Sequence, residues 1–126
     1  MKVAELSGQL LDYWACRALL AEFEGQKLTP EVVEHVRNRI GSIPFHPSTD
    51  WAQGGPIIAR ERIALVQLAE HFRPAWGRWE ATLDGIHYDG ALDGGSKGYG
   101  DTQLVAAMRA FVASRFGTKV PDEVPS

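Results

Sequence analysis

The chain turns on Pro44-Phe45-His46-Pro47-Ser48-Thr49-Asp50-Trp51-Ala52-Gln53-Gly54-Gly55-Pro56-Ile57-Ile58. This stretch lies between two helix-like regions and is rich in turn residues, yet it carries a phenylalanine and a tryptophan. A plain linker has no use for large aromatic side chains. Pro44 and Pro47 each remove a backbone donor and fix φ. Ser48, Thr49 and Asp50 bond nearby amides in turns and caps. Gly54-Gly55-Pro56 reads as a tight turn that delivers Ile57 and Ile58 to the core. The expectation is a shaped loop pinned onto the core. Two readings stay open. In one, Phe45 and Trp51 pack inward and the loop is a rigid connection. In the other it is a pocket wall, with Asp50, Gln53 and glycine amides facing a ligand.

On the N-terminal side, residues 2–6 read as a short strand or extended lead-in. Ser7 is a candidate N-cap for a helix over 7–24. Leu10, Leu11, Trp14, Ala18 and Ala21 recur at helical spacing and form its main apolar face, with Tyr13 at the edge. Asp12, Arg17, Glu22 and Glu24 are expected to reach solvent, with the Arg17 stem covering apolar surface. Gly25 suits the helix end. Thr29-Pro30 then opens a second helix, with Val32, Val33, Val36 and Ile40 on its apolar side, closed by Gly41.

On the C-terminal side, residues 59–72 are helical in composition, with Ile63, Val66 and Ala69 on one side. Pro74 ends that region, and residues 74–77 turn the chain. Trp79, Ala81 and Leu83 alternate with polar residues as in a strand. Asp84-Gly85 is a turn signal that pairs this strand with 86–88 in a hairpin. Residues 89–100 contain five glycines and read as a mobile surface loop. They do not form a phosphate-binding loop of the familiar kind, since Lys97 precedes Gly98 rather than Ser or Thr. Asp101 is a candidate cap for a last helix striped by Leu104, Val105, Met108, Phe111 and Val112, with Arg109 and Arg115 as polar interruptions and Gly117 beyond it. The fold class is therefore α+β: about four helices with a small antiparallel hairpin or sheet, one domain over 1–120, and a flexible tail over 121–126.

The composition is that of an ordinary globular domain, with 44% hydrophobic and 23% charged residues. A net charge of -3 gives no general electrostatic attraction to nucleic acid. The lone Cys16 cannot close an internal disulfide. No segment resembles a signal peptide or the roughly 20 apolar residues of a membrane span, so a cytoplasmic location and no membrane partner are expected.

Three segments together resemble a known family. Ser48-Thr49-Asp50-Trp51-Ala52-Gln53-Gly54-Gly55-Pro56-Ile57-Ile58 is similar to the central signature of the phage NinX-like family, a domain of unknown function. Leu104-Val105-Ala106-Ala107-Met108-Arg109, continuing through Phe111-Val112-Ala113-Ser114, resembles the same family, as does Glu5-Leu6 with Leu11-Asp12-Tyr13-Trp14. The resemblance implies a phage- or prophage-encoded protein and carries over no catalytic residue, cofactor or binding residue. The family's threonine-proline before the last helix is Thr102-Gln103 here, and the glycine-rich 89–100 region is longer.

Several chemistries compete. His46, Asp50, His87 and Asp89 are ligand types that suit a divalent metal, but their spacing matches no metal motif. Ser48 or Cys16 with a histidine is the only hydrolase arrangement on offer. Arg60, Arg62, Arg73 and Arg78 lie near Trp76 and Trp79 and form the best nucleic-acid cluster, partly cancelled by Glu61, Glu70 and Glu80. The favoured reading is a non-enzymatic interaction protein with no cofactor. It would bind a protein partner through Phe45, His46, Asp50, Trp51, Gln53 and Trp76. Nucleic-acid binding is the alternative, followed by a small hydrolase or metal enzyme.

Overall fold

A computed structural model describes residues 1–19, 46–83, 86–88, 91–93 and 96–121. The second expected helix, the end of the first, Phe45 and residues 122–126 lie outside the described residues. Helix α1 spans Gly8–Leu19 and α2 spans Trp51–Glu61. Strand β1 (Ala64–Gln67) follows, then the short helix α3 (Arg73–Trp76). Strands β2 (Trp79–Leu83), β3 (Ile86–Tyr88), β4 (Ala91–Asp93) and β5 (Ser96–Gly100) lead to helix α4 (Gln103–Phe116). This is an α+β fold. β1, β2 and β5 form an antiparallel sheet in the order β1-β2-β5, while β3 and β4 pair with each other.

Helix α4 is the centre of the core. Leu104, Ala106, Ala107, Met108, Ala110, Phe111 and Val112 are all buried. A helix buried over so much of its circumference needs neighbours on several sides, and α4 packs on β2, β5, α1 and α2. Thr102, not Asp101, is its N-cap: the hydroxyl accepts from the Val105 amide at 3.1 Å. Thr102 has the extended backbone a cap requires, and its side chain reaches the third helical amide.

The sheet meets α4 through its smallest residues. Ala81 pairs with Gly98, and Trp79 with Gly100. Residues directly opposite in an antiparallel pair share a face. A Cβ on Gly98 would run into the Ala106 carbonyl oxygen and the Ala110 nitrogen, and one on Gly100 would lie 2.8 Å from the Val105 side chain. The glycines of 96–100 are therefore strand residues that let helix backbone approach closely, not a surface loop. β2 takes β5 and β1 as partners and β3 pairs with β4, so among the described residues β2 and 86–88 are not paired as the expected hairpin.

Two further expectations are corrected. The central stretch is a helix rather than a loop from Trp51 onward, because Asp50 caps it by accepting from the Ala52 amide at 2.9 Å. Gly54 lies inside α2 because a Cβ there would be 2.5 Å from the Pro47 carbonyl oxygen and 2.6 Å from Leu104. The helical reading of 59–72 fails at Arg62, which adopts a left-handed conformation. The Arg62 amide bonds the Ala59 carbonyl and the Ile63 amide bonds the Ile58 carbonyl, the paired bonds that close a helix end. The chain then enters β1.

The first residues pair with the segment after α4. Met1 and Val120 exchange backbone bonds, and the Val3 amide donates to the Thr118 carbonyl at 2.9 Å. Only a single bridge, Lys2 to Lys119, has strand geometry there, and Val3–Glu5 forms a 3-10 turn.

Two glycine substitutions separate these roles. Gly98→Ala should destabilise the protein by about 3 kcal/mol or more, because the obstacle is backbone that cannot rotate away. Gly55→Ala meets only the Trp51 ring at 3.7 Å, and should stabilise by roughly 0.5–1 kcal/mol as an alanine replacing a mid-helix glycine. Urea unfolding of both variants measures the contrast.

Candidate functional site

The start of the central segment is held by a buried carboxylate. Asp12 on α1, expected to reach solvent, is 9% exposed and accepts from the Ser48 amide at 2.9 Å. The Thr49 and Asp50 amides return to the His46 carbonyl, and the His46 amide donates to Gln53 Oε1 at 2.6 Å. His46, Asp50 and Gln53 are thus engaged in starting α2, which leaves these contacts structural. Among the described residues the Ser48 hydroxyl is buried without a hydrogen-bond partner.

Trp51 sits on the first turn of α2 with 52% of its surface exposed. The expected inward packing is therefore overturned. The buried tryptophan is Trp14, which makes edge contacts with Tyr13 and Phe116 at 5.4 and 5.3 Å.

The second aromatic group lies over residues 70–77. The Glu70–Phe72 3-10 turn runs into α3, where Pro74 occupies the first turn and loses no hydrogen bond. Gly77 has φ +87, and a Cβ there would lie 2.9 Å from the Gly100 carbonyl. The Arg78 amide donates to the same Gly100 carbonyl at 3.1 Å. These contacts clamp the turn against the end of β5. Phe72 and Trp76 are 46% and 50% exposed, and the Trp76 ring lies 4.7 Å from that of Tyr99.

Between α3 and the start of α4 is a cleft of about 400 Å³ lined by Arg73, Trp76, Tyr99, Asp101 and Arg109 among others. Arg109 is the residue that sequence reasoning passed over as a polar interruption of an apolar stripe. Its Nε donates to the Leu6 carbonyl at 2.9 Å and its NH1 to the Tyr99 carbonyl at 2.6 Å. Burial lowers the pKa of its guanidinium, with Asp101 opposing that shift. Burial, then the neighbouring Glu80, raises the Tyr99 phenol above its ordinary value. An arginine inside an apolar helical run is the one sequence signal that could have pointed here.

The segments that carry Trp51 and Trp76 each reach the start of α4. Gly54, one turn after Trp51, lies against Leu104, and Gly77, next to Trp76, lies against Gly100 and Asp101. Both neighbourhoods adjoin the N-terminal end of α4. The basic cluster is partly neutralised: Glu61 pairs with Arg60 at 3.3 Å and with Arg115 at 3.2 Å, and the Arg73 Nε donates to the Leu68 carbonyl. Among the described residues no group of three or more His, Cys, Asp or Glu side chains converges on a common point. No described helix is long and apolar enough to cross a membrane.

The model of the family described as Bacteriophage P22, NinX matches residues 2–115. No curated protein matches the chain.

Two measurements follow from this geometry. Asp12→Ala should cost about 1–3 kcal/mol in urea unfolding, because it leaves the buried Ser48 amide unpaired, whereas Asp50→Ala should cost about 1 kcal/mol as a lost cap. Burial raises the Cys16 thiol pKa, with Arg17 opposing. The thiol is therefore protonated at neutral pH, and its alkylation by iodoacetamide should be slower than that of free cysteine.

Proposed function

The chain belongs to the bacteriophage P22 NinX family, and on that premise we propose that this phage-derived protein is a cytoplasmic accessory factor that acts by binding another protein. The observation that carries the reading is the exposure of Trp51, Phe72 and Trp76, each about half open to solvent, on segments that adjoin one end of α4. Tryptophan is enriched among the residues that dominate protein interfaces, where a large rigid ring fills a pocket at small entropic cost. Polar groups border the same region, including Arg73 and Asp101 beside Trp76, as in the rim of an interface.

The earlier set of binding residues narrows accordingly. Trp51 and Trp76 are the anchors, while His46, Asp50 and Gln53 support α2 and act on binding through the placement of Trp51. Phe45 lies outside the described residues. Nucleic acid is the less favoured partner, because Glu61 engages Arg60 and the chain is acidic overall.

The test is capture from cells carrying the parent phage or prophage, followed by affinity measurement with the purified partner. Trp51→Ala and Trp76→Ala, each checked for an unchanged circular dichroism spectrum and melting temperature, should weaken binding by about tenfold or more. Undiminished binding by both folded variants, or a captured species that is removed by nuclease, sinks the proposal.

A further inference from the structure

The cleft between α3 and α4 has a chemistry of its own. A guanidinium carries five N–H donors, and the two bonds to Leu6 and Tyr99 use only part of that capacity. Those bonds fix the fork in place, so a further acceptor is bound without the entropic cost of ordering a long side chain. Among the described residues no carboxylate forms an ion pair with Arg109. A half-buried cation whose hydrogen bonds go to backbone carbonyls, with the Asp101 charge near it but not paired to it, favours an approaching anion more than a fully solvated one does. Beside it stands the Trp76–Tyr99 ring pair, with Trp76 half exposed. The cleft's size, about 400 Å³, lies within the range of small-ligand pockets.

We infer that this cleft receives a single carboxylate of the partner protein on the Arg109 guanidinium, with the apolar or aromatic group next to that carboxylate resting on Trp76. The inference rests on the protein-binding reading and specifies what the partner presents. One carboxylate fits better than a chain of phosphates. Arg109 and Arg73 are the cations of the cleft, but the Arg73 Nε is turned to the Leu68 carbonyl, Asp101 also lines the cleft and Glu80 lies beside Tyr99, so a polyanion that extends beyond Arg109 meets two carboxylates. Nucleic-acid grooves instead track the backbone with a row of cations.

N-acetyl-L-phenylalanine, one carboxylate beside one ring, is the probe. Its neutral amide tests the charge and 5′-AMP tests a nucleotide. Nitrogen-15 NMR follows the Arg109 Nε–H and Trp76 indole signals, the latter assigned with Trp76→Phe. The acid should shift both signals saturably. The amide, and the acid against folded Trp76→Ala, should bind about tenfold more weakly, the scale of one lost charge-assisted or ring contact. Absence of saturable shifts with the acid, equal binding of the amide, or tighter binding of 5′-AMP overturns the inference. If any of these occurs while partner capture still depends on Trp76, the interaction reading stands and the carboxylate falls. If the acid binds as expected while capture is indifferent to Trp51 and Trp76, the cleft is a carboxylate site and the interaction reading falls.

Discussion

The closest constraint in this structure is the approach of α4 to β5. Backbone of Ala106 and Ala110 occupies the space a side chain would take at Gly98, and Val105 does the same at Gly100. Sheet and helix usually keep apart by the thickness of two side-chain layers. Here one layer is missing, and Ala81, opposite Gly98, continues the thin patch into β2. The missing layer brings the helix into the molecule far enough to be covered on its other sides by α1 and α2. Interior packing is dense and transmits small displacements, so the position of α4 governs everything resting on it.

The site is a consequence of that placement. Because α4 lies so near β5, the Arg109 side chain can reach the Tyr99 carbonyl on the strand and the Leu6 carbonyl on the N-terminal segment together. It joins α4 to the strand just before it and to the N-terminal segment, 103 positions away. Gly77 closes on Gly100 from the opposite direction, which sets α3 beside the guanidinium and leaves a cleft between them. On the other side of the helix end, Gly54 lets α2 settle against Leu104 and Pro47. Glycines thus set both approaches, and the two exposed tryptophans are carried on the segments they admit.

Much of the fold was legible because it rests on local patterns. The apolar spacing of α1 and α4, the alternation of β2 and the position of Gly117 all depend on neighbours in sequence. The failures share one cause: the deciding partner was distant. Glycine in 96–100 looks like loop chemistry until Ala106 and Ala110 are opposite it. Gly54-Gly55-Pro56 looks like a turn until Pro47 and Leu104 demand a residue without a side chain within a helix. Ile63, Val66 and Ala69 suit a helical face, but pairing of β1 with β2 outweighs that weak preference. Asp12 looked like a solvated charge on an amphipathic helix, and only the Ser48 amide, 36 positions away, makes its burial tolerable.

The candidate site was less legible for a related reason. Composition supplies four tryptophans, but a tryptophan anchors a core or a partner with the same chemistry. Packing sorts them: Trp14 is buried under Tyr13 and Phe116, Trp79 lies partly under the sheet's helix, and Trp51 and Trp76 stay half exposed. The turn chemistry around Trp51 was visible, and its polar groups looked like ligand-binding groups because capping and binding use the same donors and acceptors. Once the His46 backbone and the Asp50 and Gln53 side chains are spent on starting a helix, what distinguishes the region is the apolar surface that the helix holds outward. Arg109 reverses the case. It looked like an interruption in an apolar stripe, yet its burial and its two carbonyl partners give the cleft a fixed positive centre. A polar residue within a buried helix must be satisfied by something, and Arg109, with two of its donors on carbonyls, lines a cleft beside an exposed ring.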